Sequence, residues 1–175
     1  MKRALVLIFL GGVLTFNLYK TFNFLWADIS VIKNFPKISY DEKMHAKYVP
    51  YYDYMLFVKN NTPENSVILI PPIQPPWAGS GNYLFSNYFL YPRKLISGDI
   101  NNPPSDFSQF TYVLIVWKDF EAKGLEHLYG WPKFEVPTKE IFYMATGSGE
   151  KDLTKKGSYY PEDKINVGRY GLIKL

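Results

Sequence analysis

Thr111-Tyr112-Val113-Leu114-Ile115-Val116-Trp117 is the stretch on which the fold turns. An unbroken apolar run of this length predicts a strand covered on both faces, because a half-exposed strand alternates apolar with polar residues. A second run, Ser66-Val67-Ile68-Leu69-Ile70, has the same character. It is preceded by Asn60-Asn61-Thr62-Pro63-Glu64-Asn65, where Thr62 can cap a helix and Pro63 suits a first-turn position. Asn60-Asn61-Thr62 also matches a glycosylation sequon, although helix-end chemistry explains the same residues.

Working back from that strand, Met44, Tyr48, Tyr51, Tyr52, Met55, Leu56 and Val58 recur at spacings of three and four and predict a helical face over 40–60. Pro50 should kink it or divide it in two. Working forward, residues 71–82 are too rich in Pro and Gly for regular structure. A short aromatic helix is expected over Asn82–Leu90, a strand over Tyr91–Ser97, and a helix over Asp119–Tyr129 that Gly124 weakens. Lys139–Thr146 and Gly168–Leu175 read as two last strands, separated by a polar loop. This order implies an α/β fold: a Rossmann-like three-layer domain with a mostly parallel sheet, helices on both faces, right-handed crossovers and a C-terminal antiparallel hairpin.

The N-terminal segment has a different chemistry. Lys2 and Arg3 precede the uncharged stretch Ala4–Tyr19, and Phe22, Phe24, Leu25 and Trp26 follow Lys20. A basic start and apolar centre are what a membrane insertion machinery recognises, and Asn17–Phe22 lacks a small-x-small cleavage site. Residues 1–27 are therefore expected to form an uncleaved signal anchor, a transmembrane helix with its N-terminus in the cytoplasm. Residues 28–39 are expected as a tether and 40–175 as an extracytoplasmic domain. A buried N-terminal helix of a soluble protein is the competing reading, but such helices normally show a polar stripe.

Composition narrows the function further. The chain has 175 residues and a formal net charge of +4, yet residues 40–175 contain 15 basic and 15 acidic side chains. The excess charge thus lies in the N-terminal segment, not on the domain. Nucleic-acid binding needs basic side chains gathered on the folded surface, so no nucleic-acid partner is expected. With no cysteine there is no disulfide framework, thiolate nucleophile or thiolate-held metal. His45 and His127 stand far apart without a clear acidic ligand pair, so neither a metal site nor a cofactor is expected.

Four signals could carry chemistry, each with a structural alternative. In an open α/β sheet, ligands sit beyond the carboxyl ends of the strands. Gly79, Gly81 and Asn82 lead into the aromatic helix and could offer backbone N–H groups to a phosphate, with Asp99 as a ribose acid; the alternative is a plain Pro/Gly loop. Trp77, Tyr83, Tyr88 and Tyr91 could stack on a sugar or a lipid headgroup, or could serve as core. Arg93 could clamp a carboxylate or phosphate, or pair with Asp99 or Asp106. Asp119 and Glu121 stand where α/β enzymes place acids, although Asp is also an ordinary helix N-cap. No nucleophile elbow, P-loop or zinc-protease motif occurs, and no catalytic residue is assigned.

Thr62–Pro72 (TPENSVILIPP), Pro75-Pro76-Trp77, Gly81-Asn82-Tyr83 and Ser86–Ile96 (SNYFLYPRKLI) resemble, over residues 40–97, the soluble C-terminal domains of multi-spanning bacterial membrane proteins of glycosyltransferase type. Such enzymes use lipid-linked sugars and place catalytic acids in loops between many spans, whereas this chain has one candidate span. The resemblance implies an extracytoplasmic module without a transferase core, associated with the envelope or a glycan. The leading expectation is a single-pass membrane protein with a binding role, its partner a glycan or another membrane protein. An envelope enzyme acting on a sugar or lipid-linked phosphate, and an accessory subunit of a membrane complex, are the alternatives.

Overall fold

The structure, a computed structural model, describes residues 2–34, 36–145 and 151–175. It divides into two compact units, one running to Lys47 and the other from Tyr48 to Leu175.

In the first unit a single helix, α1 (Lys2–Asn34), runs well beyond Trp26, so much of the expected tether is helical; Met1 and Phe35 lie outside the described residues. No Pro or Gly interrupts the sequence between Val13 and Asn34, so nothing in it stops the helix earlier. Large apolar side chains stand exposed along the helix, including Phe9, Phe16, Phe22 and Trp26. Among the described residues no helix is long and apolar enough to cross a membrane. The next helix, α2 (Tyr40–Tyr48), begins with a capping box: the Glu42 amide donates to Ser39 Oγ (3.2 Å), and the Ser39 amide donates to Glu42 Oε2 (2.7 Å). Lys47 pairs with Asp28 of α1 at 2.7 Å.

Pro50 divides the expected helix of 40–60 as anticipated, with α3 (Tyr51–Asn61) on its far side. The second unit then runs β1 (Val67–Ile70), α4 (Tyr83–Leu90), β2 (Lys94–Ser97), β3 (Tyr112–Val116), β4 (Glu140–Met144), β5 (Lys151–Lys155) and β6 (Tyr170–Lys174). Thr146, at the end of the strand expected before the polar loop, lies outside the described residues. The sheet order is β2-β1-β3-β6-β4-β5. β1 pairs in parallel with β2 and β3, whereas β3–β6, β6–β4 and β4–β5 are antiparallel.

This mixed α/β architecture corrects the sequence expectation in three places. β4 and β6 pair antiparallel, as expected of the C-terminal hairpin, but β6 also inserts between β3 and β4 and pairs antiparallel with β3, so only the β2-β1-β3 side of the sheet is parallel. β5 was expected as loop: its sequence, Lys-Asp-Leu-Thr-Lys, lacks an apolar face, which an edge strand paired on one side does not need. The helix expected over Asp119–Tyr129 is absent, leaving only a 3₁₀ turn at Glu126–Leu128 flanked by Gly124 and Gly130 at positive φ.

With that helix gone, the expected three-layer arrangement with helices on both faces of the sheet is not seen among the described residues. α3 and α4 touch each other as well as the sheet, so both lie on one face. The β1→β2 and β2→β3 connections run in opposite directions across β1. Right-handed crossovers therefore place α4 and residues 98–111 on opposite faces. The latter crossover contains no helix, and its rings, Phe107 and Phe110, pack into the core with Trp131 and Phe134. β3 is buried along its whole length, as its apolar run requires. Each fully buried large apolar side chain of this cluster contributes about 1.5–3 kcal/mol.

Candidate functional site

Strand order reverses at β1, whose neighbours β2 and β3 are reached by crossovers on opposite faces, so the loops after β1 and β3 meet where open α/β sheets bind ligands. Here the chain fills that place itself. The Asp119 carboxylate reaches the loop of residues 71–82, and its Oδ2 accepts hydrogen bonds from the Gly79 amide (2.8 Å), the Ser80 amide (2.7 Å) and the Ser80 hydroxyl (3.0 Å). Two successive N–H groups converging on one oxygen form an anion-binding nest, and the anion is internal. The loop is fixed from its other side too. The Gly81 amide donates to Trp77 O (2.7 Å), and Ser86 Oγ donates to Ser80 O (2.9 Å) and lies 2.8 Å from the Tyr51 hydroxyl. A Cβ on Gly81 would stand 2.1 Å from the Pro72 carbonyl oxygen, so only glycine passes there.

Burial pushes the Asp119 carboxyl above its ordinary value, against the opposing pull of the hydrogen bonds from Ser80 and Gly79. The phenols of Tyr51, Tyr54 and Tyr170 are pushed upward by burial, with the Asp119 charge adding to the effect. Asp119 therefore caps no helix; it closes a loop through Gly79, 40 residues earlier in the chain.

The remaining residues singled out in the sequence do not converge. Trp77 is fully buried, edge-on to Trp131 at 5.9 Å, with its Nε1 3.3 Å from Trp117 O; it is core and offers no face to a ligand. Asn82 caps α4, its Oδ1 accepting from the Phe85 amide at 3.1 Å. Tyr88 is exposed and stands edge-on to Phe89. Arg93 is buried and bonds neither Asp99 nor Asp106. Its Nε donates to Thr62 Oγ1 (2.6 Å), its Nη2 to the carbonyls of Lys59 (2.8 Å) and Thr62 (2.5 Å), and its Nη1 to Leu90 O (3.4 Å). It thus satisfies carbonyls at the ends of α3 and α4. Arg93 and Asp99 flank β2 at opposite ends, about 20 Å apart along an extended strand, and cannot share a ligand.

Asp99 belongs to a separate feature, a cleft of about 410 Å³ between the carboxyl end of β2 and the crossover that follows it. Leu69, Ile96 and Phe110 supply apolar lining. Ser97, Asp99, Asn102, Ser105, Asp106 and Gln109 supply hydrogen-bonding side chains, and neither Lys nor Arg contributes. The Asp99 Oδ1 accepts from the Asn101 amide (2.9 Å); Asp106 accepts from the Ser108 amide (2.8 Å) and hydroxyl (2.7 Å). The bonds from Ser108 hold the Asp106 carboxyl below its ordinary value, so it is ionised at neutral pH. Of the cleft's polar side chains, sequence reading singled out only Asp99 as a site residue and considered Asp106 as a partner for Arg93. The signal for the rest was the density of Asn, Asp and Ser over residues 99–108, which by itself marks turns as much as a site. Among the described residues no three His, Asp or Glu side chains gather where a metal ion could bind. No protein-family model, curated protein or solved structure matches the chain.

Proposed function

We propose that this chain is a single-pass membrane protein of the cell envelope whose N-terminal helix anchors an extracytoplasmic α/β unit with a binding role. The observation that carries the reading is the exposure of large apolar side chains along α1: Phe9 is 71% exposed, Phe22 71% and Trp26 63%. Such a surface is stable only when a lipid phase or a partner covers it. The uncharged stretch Ala4–Tyr19 covers about 24 Å of helix, slightly less than the ~30 Å of a hydrocarbon core. Lys20 can extend toward the headgroups, and Phe22, Phe24, Leu25 and Trp26 suit the aromatic belt of an interface.

The polar side chains along this helix are compatible with lipid. Thr15 Oγ1 donates to Gly11 O (2.8 Å), Asn17 Nδ2 to Val13 O (2.8 Å) and Asn23 Nδ2 to Tyr19 O (3.0 Å). Hydrocarbon tolerates polar groups when they are bonded within the helix. Lys2 and Arg3 favour a cytoplasmic N-terminus.

Fractionation of expressing cells tests both halves of the reading. The chain should stay with the membrane pellet through alkaline carbonate extraction, and protease added to spheroplasts should digest the α/β unit. Recovery in the soluble fraction overturns the anchor, and protection of the α/β unit in intact spheroplasts overturns the topology.

A further inference from the structure

We propose that the cleft after β2 binds an uncharged sugar, a mono- or disaccharide. This deepens the binding role proposed above and does not depend on the anchor. Three features of the lining carry it. First, its charge excludes anions: Asp99 and Asp106 face the cleft without a lining Lys or Arg, so a phosphate or carboxylate would meet uncompensated repulsion. This chemistry separates the cleft from the phosphate and nucleotide reading of the neighbouring loop.

Second, the hydrogen-bonding groups match hydroxyls better than a bare cation. Carboxylates only accept, but Asn102 and Gln109 both donate and accept, as do the hydroxyls of Ser97 and Ser105. A sugar hydroxyl does the same, and neighbouring hydroxyls suit the paired atoms of a carboxylate or amide. A divalent cation would draw on a convergent group of acidic ligands, which is absent among the described residues. Third, the exposed Pro103 and the half-buried Pro104 and Ile96, backed by the buried Leu69 and Phe110, give the cleft the apolar surface that the C–H face of a pyranose covers. About 410 Å³ lies within the usual range for small-ligand sites. The turns that Asn101 and Ser108 form with the two carboxylates fix them before a ligand arrives, which lowers the ordering cost of binding.

The full chain in a zwitterionic detergent, chosen because maltoside headgroups would compete, can be tested by saturation-transfer NMR. The probes are glucose, N-acetylglucosamine, cellobiose and chitobiose, with inorganic phosphate and spermidine as charged comparisons. At least one saccharide should bind, and neither phosphate nor spermidine should displace it. Asn102→Ala and Gln109→Ala, both at exposed positions, should each weaken binding about tenfold, the equivalent of one lost hydrogen bond. Asp99→Asn, which keeps an acceptor for the Asn101 amide, separates loss of charge from loss of the turn and should also weaken binding. The proposal is overturned if no saccharide binds, if both alanine variants bind as the parent does, or if spermidine or phosphate displaces the sugar. A chain that binds a saccharide yet fractionates as soluble refutes the anchor alone; one that stays in the membrane without binding refutes the cleft alone.

Discussion

Two loops leave neighbouring parallel strands at the same edge of the sheet, and they end in opposite states. The loop after β1, residues 71–82, looked like the ligand site in sequence, with two glycines, a tryptophan and a following helix. In three dimensions it is closed: its N–H groups hold Asp119, its indole is core, and Gly81 is present because the Pro72 carbonyl leaves no space. The crossover after β2, residues 98–111, offered only Asp99 as a candidate in sequence, and it forms an open cleft of mixed hydrogen-bonding character. Gly and Pro report where a backbone must bend or approach closely; they do not report whether the donors they free point at a ligand or at another part of the chain.

Substitutions can break this comparison. The largest effects are expected where an added methyl group has no space. Gly81→Ala drives a Cβ into the Pro72 carbonyl, and Gly98→Ala drives one to 2.2 Å from the buried ring of Trp131; each should cost about 3 kcal/mol or more in urea denaturation of the α/β unit. Gly98 lies on the cleft side, so an equal loss at both positions would show that the open loop is as firmly seated at its base as the closed one.

Next come the internal polar links. Asp119→Ala leaves two amides and a hydroxyl without their acceptor, and Arg93→Ala leaves carbonyls of α3 and α4 without their donor. Each should lower stability by about 2–3 kcal/mol. Asp119 also sets a pH dependence. Its folded-state carboxyl is raised above the ordinary 3.8, so the folded form holds the proton more tightly than the unfolded chain. Its contribution is therefore fully present below 3.8 and declines as pH rises through the raised value. Asp119→Asn, which carries no charge, should remove that slope; denaturation midpoints measured from acid to neutral pH would detect it, and an unchanged slope would place the titration elsewhere.

Smaller effects sharpen the contrast. Asn82→Ala removes the cap of α4 and should cost about 1 kcal/mol by the same denaturation assay. Gln109→Ala, at an exposed position on the open cleft, should change stability by less than about 0.5 kcal/mol. A Gln109 effect as large as that of Asp119 would mean that the cleft, too, is internal packing.

The strands built from unbroken apolar runs were legible residue by residue: Val67–Ile70 and Tyr112–Val116 lie within the stretches read for them, and Pro50 breaks its helix where the ring forbids continuation. β5 was not legible, because a polar edge strand is defined by its partner β4 and has no pattern of its own. The helix over Asp119–Tyr129 failed for a related reason. Asp119 at a helix start and Asp119 as acceptor for a distant nest have the same local sequence, and the choice depends on Gly79 and Ser80, 40 and 39 residues away. Arg93 was similarly opaque: the carbonyls it binds belong to backbone, which carries no residue-type signature.

What the sequence determined unaided was therefore what depends on neighbours along the chain: the N-terminal apolar stretch with basic residues before it, the buried strands, the proline break, the neutrality of residues 40–175 and the absence of thiol side chains. What tertiary structure alone decided was where polar groups find their partners. It closed the glycine loop around Asp119, turned Arg93 onto helix ends, and left Asp99, Asn102, Asp106 and Gln109 around an open cleft. The division is physical: apolar burial and backbone stereochemistry act locally and leave periodic traces in a sequence, whereas a hydrogen bond between distant residues is settled only when folding brings donor and acceptor within about 3 Å.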